Sequence, residues 1–520
     1  MNNAPAILRT LVIYAVIVPL ALFVGYLLTD PLDRSSFTYY GILVLLLISP
    51  ILLRWHQPLL ILSWNLNATI FFLPGRPDLW LALAAISLGI SLLQRALGGV
   101  KQLISVPQVT WSLVFLVGVV VFTAKMRGLG MRTYGSELYG GRSYVYLLGG
   151  IMAYFALSAR RIPPERATLY VGLFCLSGLT GFITDLTPIM TGPLEYIYLV
   201  FRPSQTALAA VEINAGPMRF AGAWQVSFAI FSFMLATYGI RGIFLSGKPW
   251  RWVVFSLAPA YLLLGGYRGY VMFIALMFAL QFYLEGLHRT KLLLRFTALG
   301  IVMAVALVPL APHLPGQYQR ALAFLPLDIN QQVRQEADET VNWRVEMWKS
   351  LLPQVPEHLL LGKGYALSAN DYQLLAGRDA AIRGFGGFAE NQIMAVSGTY
   401  HNGPLSVVMT FGIWGVIAVV WFLAAGIWVI YRNYRHGDPA LQTVNLFLLV
   451  AFASRIIYFL LIFGALDLDM LNFGGLLGLS VAFNNGVCRP APEPVRETNK
   501  FQAFGGVRSH LQPAFRHPKS

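Results

Sequence analysis

Charge is scarce in this chain. Only 12% of its 520 residues are Asp, Glu, Lys or Arg, against about 25% in soluble domains. So few charges, set among 57% hydrophobic residues at a mean hydropathy of +0.62, exclude an ordinary soluble globule and indicate a polytopic membrane protein. Cysteine is nearly missing as well. Cys175 lies inside an apolar run and Cys488 ends the last one, so no disulfide framework is implied. No internal repeat is visible, and the first apolar run is followed by no small-x-small cleavage site, so Ile13–Leu28 reads as a retained span.

Base exceeds acid, with a net charge of +15. A nucleic-acid partner is nevertheless excluded by where the base lies. Arg160, Arg161 and Arg166, then Arg241, Lys248 and Arg251, then Arg289, Lys291 and Arg295, then Arg432 and Arg435 sit in short turns between apolar runs. That is the positive-inside pattern of a membrane protein.

What the chain does have is long apolar runs. About fourteen windows are long enough to cross a bilayer, each of roughly 17–25 residues. They centre near Val18, Leu45, Ile61, Ala85, Val117, Gly149, Leu173, Phe231, Phe255, Ala275, Ala304, Val416, Leu449 and Leu477. The expected fold is all-α, a polytopic transmembrane helical protein with one large extracytoplasmic loop. Four parts are expected: N-terminal transmembrane helices at 1–311, the loop with short helices at 312–400, C-terminal transmembrane helices at 401–488, and a Pro-rich disordered cytoplasmic tail at 489–520. If the spans alternate, the basic turns face the cytoplasm and the loop faces outward. Trp111, Trp250 and Trp252 near span ends fit an interfacial aromatic belt. Lys125, Arg127, Arg132 and Arg142 break the pattern, as either a miscounted span or a basic patch for an anionic headgroup or diphosphate. Asp185 and Arg455 lie near or within apolar stretches.

Within the loop, Asp338-Glu339-Thr340 reads as a helix start, and Pro353 as its end. Residues four apart share a helix face, so Trp343, Met347 and Leu351 form one apolar stripe, with Arg344 and Trp348 on the stripe beside it. Gly362-Lys363-Gly364 reads as a turn. It lacks the strand–loop–helix frame of a nucleotide-phosphate loop. Carboxylates are scattered through the loop without an Asp-x-Asp pair, and His313 and His358 lack metal-ligand spacing, so neither metal nor cofactor is expected.

The loop ends in Tyr400-His401-Asn402-Gly403, at the mouth of a nearly continuous apolar run from Pro404 to Val429. An imidazole with an ordinary pKa of about 6.5 takes up a proton near neutral pH. A histidine at this boundary is placed to act on a membrane-held substrate. Asn402 either orients His401 or caps the following helix, a role asparagine favours.

These pieces together resemble the O-antigen ligase and O-antigen polymerase superfamily of bacterial membrane glycan enzymes. The matching text is Arg344 with Trp348, Pro356, Gly362-Lys363-Gly364, and His401-Asn402 followed by Leu405 and Phe411-Gly412-Ile413-Trp414-Gly415. Gly266-Tyr267-Arg268-Gly269 matches at Arg268 and Gly269, with tyrosine where serine is usual. Arg219-Phe220-Ala221-Gly222 matches too, but Trp224-Gln225-Val226 stands where Pro-Asn commonly follows.

The resemblance implies a glycosyltransferase of the bacterial inner membrane, with its site facing the periplasm. Its donor would be a polyprenyl-diphosphate-linked glycan. Its acceptor would be a hydroxyl on another glycan or a lipid core. Ligation, repeat-unit polymerisation and, from another class, transport of the same lipid-linked glycan are the activities to separate. His401, Arg344 and Arg268 are the expected catalytic residues, and Arg219, Asn402, Tyr267 and Trp348 the expected substrate-binding ones. Arginine suits a departing diphosphate because its guanidinium stays charged and forks onto phosphate oxygens.

Overall fold

The computed structural model describes residues 4–27, 29, 34–73, 75–98, 104–131, 139–186, 192–203, 220–368, 371, 398 and 400–490. The helices are α1 Ala4–Leu27, α2 Arg34–Ser63, α3 Leu79–Ala96, α4 Pro107–Arg127, α5 Gly141–Ser158, α6 Ala167–Leu176, α7 Gly181–Asp185, α8 Ala223–Phe244 and α9 Pro249–Leu263. They continue with α10 Arg268–Leu284, α11 Lys291–Leu310, α12 Gly316–Leu322, α13 Gln331–Leu351, α14 Val355–His358, α15 Gly403–His436, α16 Gln442–Leu461 and α17 Leu466–Asn484. Among the described residues, β structure is limited to isolated bridges such as Tyr139 with Leu367. The expected tail at 489–520 lies almost wholly outside the described residues.

Every apolar window falls on a helix, but the windows at Leu45 and Ile61 share one, α2. The sequence between them, Arg54-Trp55-His56-Gln57, looks like a polar turn. Packing buries it instead. His56 Nδ1 lies 2.8 Å from Ser87 Oγ, and Gln57 donates to the Leu157 and Arg160 carbonyls at 3.1 Å each. Neighbouring helices supply the partners that water would supply in a turn, so the helix continues through Pro50 and Pro58.

Nine helices among the described residues are long and apolar enough to cross a membrane. Their burial is graded. In α17, 72% of the apolar window is inside the protein, whereas in the segment containing α11, Lys291–His313, only 6% is, at a mean hydropathy of 2.2. So much uncovered apolar surface is stable only against hydrocarbon. The chain is a multi-pass membrane protein with α17 near its centre and α11 at its rim.

The segment between α11 and α15 forms its own short helices. α13 begins at Gln331, two turns before the expected start, because Asn330 caps it by accepting from the Gln332 N–H at 2.9 Å. Thr340 turns its hydroxyl onto the Glu336 carbonyl inside the helix and caps nothing. The apolar stripe is as expected: Met347 and Leu351 are buried, and Trp343 packs on the same cluster as Tyr400, Leu405 and Met409.

α15 is kinked at Gly412, whose φ of +64° and ψ of −157° leave the helical region. The kink opens the hydrogen-bond ladder, and the Gly362-Lys363-Gly364 turn closes it. The Lys363 N–H donates to the Met409 carbonyl at 2.7 Å, Gly364 N–H to Thr410 at 3.0 Å, and Ile413 N–H to the Leu359 carbonyl at 2.6 Å. Two motifs far apart in sequence are therefore halves of one clasp that fastens the polar segment to the membrane helix. A Cβ at position 412 would stand 2.5 Å from the Leu359 oxygen. Gly412→Ala is therefore expected to destabilise the fold by roughly 1–3 kcal/mol, read as a lower midpoint in thermal unfolding of the detergent-purified protein. An unchanged midpoint would mean the clasp carries no strain.

Candidate active site around His401

His401 is one of three non-glycine residues with positive φ among the described residues, at +50°. Such a conformation is uncommon outside glycine and persists only where the surroundings over-determine it. Here they act from both sides. Upstream, the Trp348 indole N–H donates to the Tyr400 carbonyl at 2.8 Å, and the Tyr400 side chain is buried in the apolar cluster under α13. Downstream, Asn402 Oδ1 accepts from the Leu405 N–H at 3.0 Å and starts α15. Gly403 then packs so tightly on α16 that a Cβ there would stand 2.2 Å from the Phe459 carbonyl oxygen. The half-buried His401 ring is held edge-on to Trp343, at 5.4 Å between centroids, and tilted against Phe463 at 4.8 Å.

Of the two roles open to Asn402, capping is the one its side-chain oxygen performs. Trp348 likewise has a defined role, since its indole fixes the backbone from which His401 projects.

The arginines are set out along α13. Arg268, the first residue of α10, donates through Nη2 to the Ala337 carbonyl at 2.8 Å, with Asp338 beside it. Ala337, Arg344 and Trp348 are spaced by seven and four residues, so they lie on one face of α13. At ~1.5 Å per residue the face spans roughly 16 Å from the Arg268 anchor to the Trp348 indole. Arg344 lies between them, over the Trp343 ring at 5.4 Å and near enough to Tyr458 for its charge to act on the phenol. One short helix thereby gathers Arg268, Arg344 and His401. Tyr267 precedes Arg268 as the N-cap of α10 and packs edge-on against Tyr270 at 6.0 Å. Arg219 lies outside the described residues.

A chamber that the sequence alone does not reveal lies on the far side of Phe463. It holds about 320 Å³ and sits among the ends of α2, α3, α6, α8, α10, α16 and α17. Phe463, Tyr270, Arg455 and Asp469 are on its wall. Arg455 pairs with Asp469 at 2.5 Å, and Asp469 also accepts from the Ala465 N–H at 2.9 Å. An arginine in one apolar run and an aspartate opening the next is the only signal in the sequence. The pairing itself needs the turn between α16 and α17. Asp185, at the end of another span, is structural: it accepts from the Gly222 N–H at 2.7 Å and from the Tyr261 hydroxyl at 3.2 Å.

The basic patch is partly explained. Arg127 donates from Nε to the Gly362 carbonyl at 2.9 Å and so belongs to the clasp, while Arg142 lies over Tyr146. Arg132 is outside the described residues. Burial lowers the pKa of Lys363, with Asp371 opposing it. Burial and then the charges of Lys363 and Arg127 lower that of His358. The turn spends the Lys363 and Gly364 N–H groups on the Met409 and Thr410 carbonyls, so it serves as a structural fastening. Among the described residues no group of three or more His, Cys, Asp or Glu side chains is arranged to hold a metal ion.

If the Trp348 hydrogen bond positions His401, then Trp348→Phe, which keeps an aromatic ring and removes the N–H, is expected to slow turnover between about twofold and tenfold, the equivalent of roughly 0.5–1.5 kcal/mol. The check is glycan transfer per inserted protein. A rate equal to wild type would show that His401 is positioned without it.

Residues 252–420 match the family model described as O-antigen ligase. The match runs from α9 to just past the α15 kink and includes Arg268, Arg344, Trp348 and His401. No curated protein matches the chain. With the membrane helices and the clasped motifs in place, that match makes this part of the chain similar to the O-antigen ligase family.

Proposed function

We propose that this protein transfers a glycan from a polyprenyl diphosphate to an acceptor hydroxyl at the periplasmic face of the bacterial inner membrane, in the manner of an O-antigen ligase. The observation that carries the reading is the strained His401, held by α13 alongside Arg268 and Arg344. A strained histidine at a helix mouth is an outlier that calls for a functional reason. Arg344 on that helix, and Arg268 bonded to its Ala337 carbonyl, give that reason a substrate with phosphate on it.

In this mechanism the acceptor O–H gives its proton to the His401 imidazole as the acceptor oxygen attacks the anomeric carbon. The bond from that carbon to the diphosphate breaks, and the electron pair leaves on the diphosphate. Arg268 and Arg344 stabilise the charge growing there. Charge-assisted hydrogen bonds contribute about 1.5–3 kcal/mol each, and only the part that strengthens in the transition state raises the rate. General-base assistance adds about 10²–10⁴-fold. Because the attack is direct, an α-linked diphosphate yields a β-linked product. Repeat-unit polymerisation uses the same chemistry with a glycan as acceptor, so it stands as the alternative within the superfamily.

The surface-glycan profile of a deletion strain tests the reading. Bare acceptor with polymer left on the lipid carrier indicates a ligase, and acceptor carrying a single repeat indicates a polymerase. His401→Ala, Arg268→Ala and Arg344→Ala are each expected to insert normally and fail to restore the profile. Full complementation by any one removes that residue from the site, and an unchanged deletion profile removes the reading itself. NMR of the product linkage is expected to show inversion, and retention would contradict direct attack.

A further inference from the structure

We infer that the chamber behind Phe463 binds a neutral sugar ring, next to the diphosphate position and separate from it. The inference rests on the transferase reading and assigns one part of the substrate to one part of the protein.

Charge balance excludes the diphosphate. Among the described residues, four charged side chains line the chamber, and they cancel in pairs: Arg202 with Asp78 at 2.7 Å and Arg455 with Asp469 at 2.5 Å. A dianion entering here would meet two carboxylates and no net positive charge, in a setting where an uncompensated charge is costly. A hydroxyl-rich neutral ligand meets no such penalty. Guanidinium N–H groups and carboxylate oxygens offer it donors and acceptors together.

The rest of the wall has the same two-sided character. Trp64, Trp224 and Tyr270 supply flat apolar surface, with Trp224 and Tyr270 stacked on each other at 4.5 Å and 3°. Rings so fixed offer a rigid platform to the C–H face of a pyranose. The Asn472 carboxamide reaches the same space. Two buried polar atoms there have no hydrogen-bond partner among the described residues, Ser232 Oγ and Arg455 Nε. Buried polar groups are almost always paired, so these two leave the polar groups around the chamber incompletely satisfied by the protein itself. The volume of about 320 Å³ is at the small end of ligand sites, which run from about 300 to 1,000 Å³.

The chamber also lies where a reacting sugar is needed. Phe463 forms part of its wall and touches the His401 ring, and Tyr270 is on the wall and packs on Tyr267 beside Arg268. A sugar held in the chamber therefore lies one side chain away from the proposed base, across Phe463, and near the proposed diphosphate anchor through Tyr270 and Tyr267.

The test is saturation-transfer NMR on the full-length protein in lipid nanodiscs. The probes are methyl glycosides of glucose, galactose, mannose, rhamnose and N-acetylglucosamine, with inorganic diphosphate as competitor. At least one glycoside is expected to bind with its ring C–H protons most strongly saturated, and diphosphate is expected not to displace it. Trp224→Ala is expected to weaken binding at least tenfold and Asn472→Ala severalfold, in variants that remain monodisperse. Displacement by a polyprenyl-diphosphate-linked monosaccharide identifies the donor sugar, and displacement by a lipid-free oligosaccharide the acceptor. Binding of none of the glycosides, displacement by diphosphate, or wild-type binding in both cavity variants overturns the inference. If that occurs while the deletion strain loses its glycan, the chamber assignment fails and the transferase reading stands.

Discussion

The hydrogen bond from the Trp348 indole to the Tyr400 carbonyl is the contact on which the site depends. It joins a polar surface helix to the last residue before the histidine. Through it α13 reaches the backbone of His401 from the upstream side. The left-handed backbone of His401 is then trapped between an anchored carbonyl and a capped helix. An isolated chain would relax such a strain, since it costs of order 1–3 kcal/mol. Here the Met347, Leu351 and Leu405 cluster buries the surroundings and holds the geometry.

The same helix carries Arg344 and holds Arg268, whose guanidinium donates to its Ala337 carbonyl. Because Ala337, Arg344 and Trp348 share a face, the α-helical repeat fixes the order Arg268 anchor, Arg344, histidine support. The clasp at Gly412 then fixes α15 against the segment that follows α13. α13 and α15 are therefore held both directly, through Tyr400, and indirectly, through residues 359–364. This arrangement accounts for motifs that look unrelated in sequence: they are successive fastenings of one polar segment onto one membrane helix.

Much of this is legible in the sequence because membrane physics leaves few choices. Long apolar runs become helices, since no other backbone conformation of a single segment satisfies itself in hydrocarbon. The stripes of α13 follow from spacing alone, as does the turn at Gly362. What is illegible depends on partners distant in the chain. Arg54 to Gln57 resemble a turn because the Leu157 and Arg160 carbonyls that accept from Gln57 come a hundred residues later. Asn330 is hidden as a cap because Asp338-Glu339-Thr340 makes a stronger local signal. The chamber cannot be read from sequence at all, since its wall draws on six helices and the loops between them, and its two ion pairs close only in the folded bundle.

The central claim is that His401 is kept in a strained conformation for chemistry rather than for folding. Replacement by glycine separates the two. Glycine adopts positive φ without steric cost, so His401→Gly relieves the strain while removing the imidazole. Thermal unfolding and glycan transfer measured on the same purified preparation give the answer. The account predicts a protein at least as stable as wild type and without transfer activity. A His401→Gly protein that is inactive because it unfolds much more readily, or one that still transfers glycan, would contradict it.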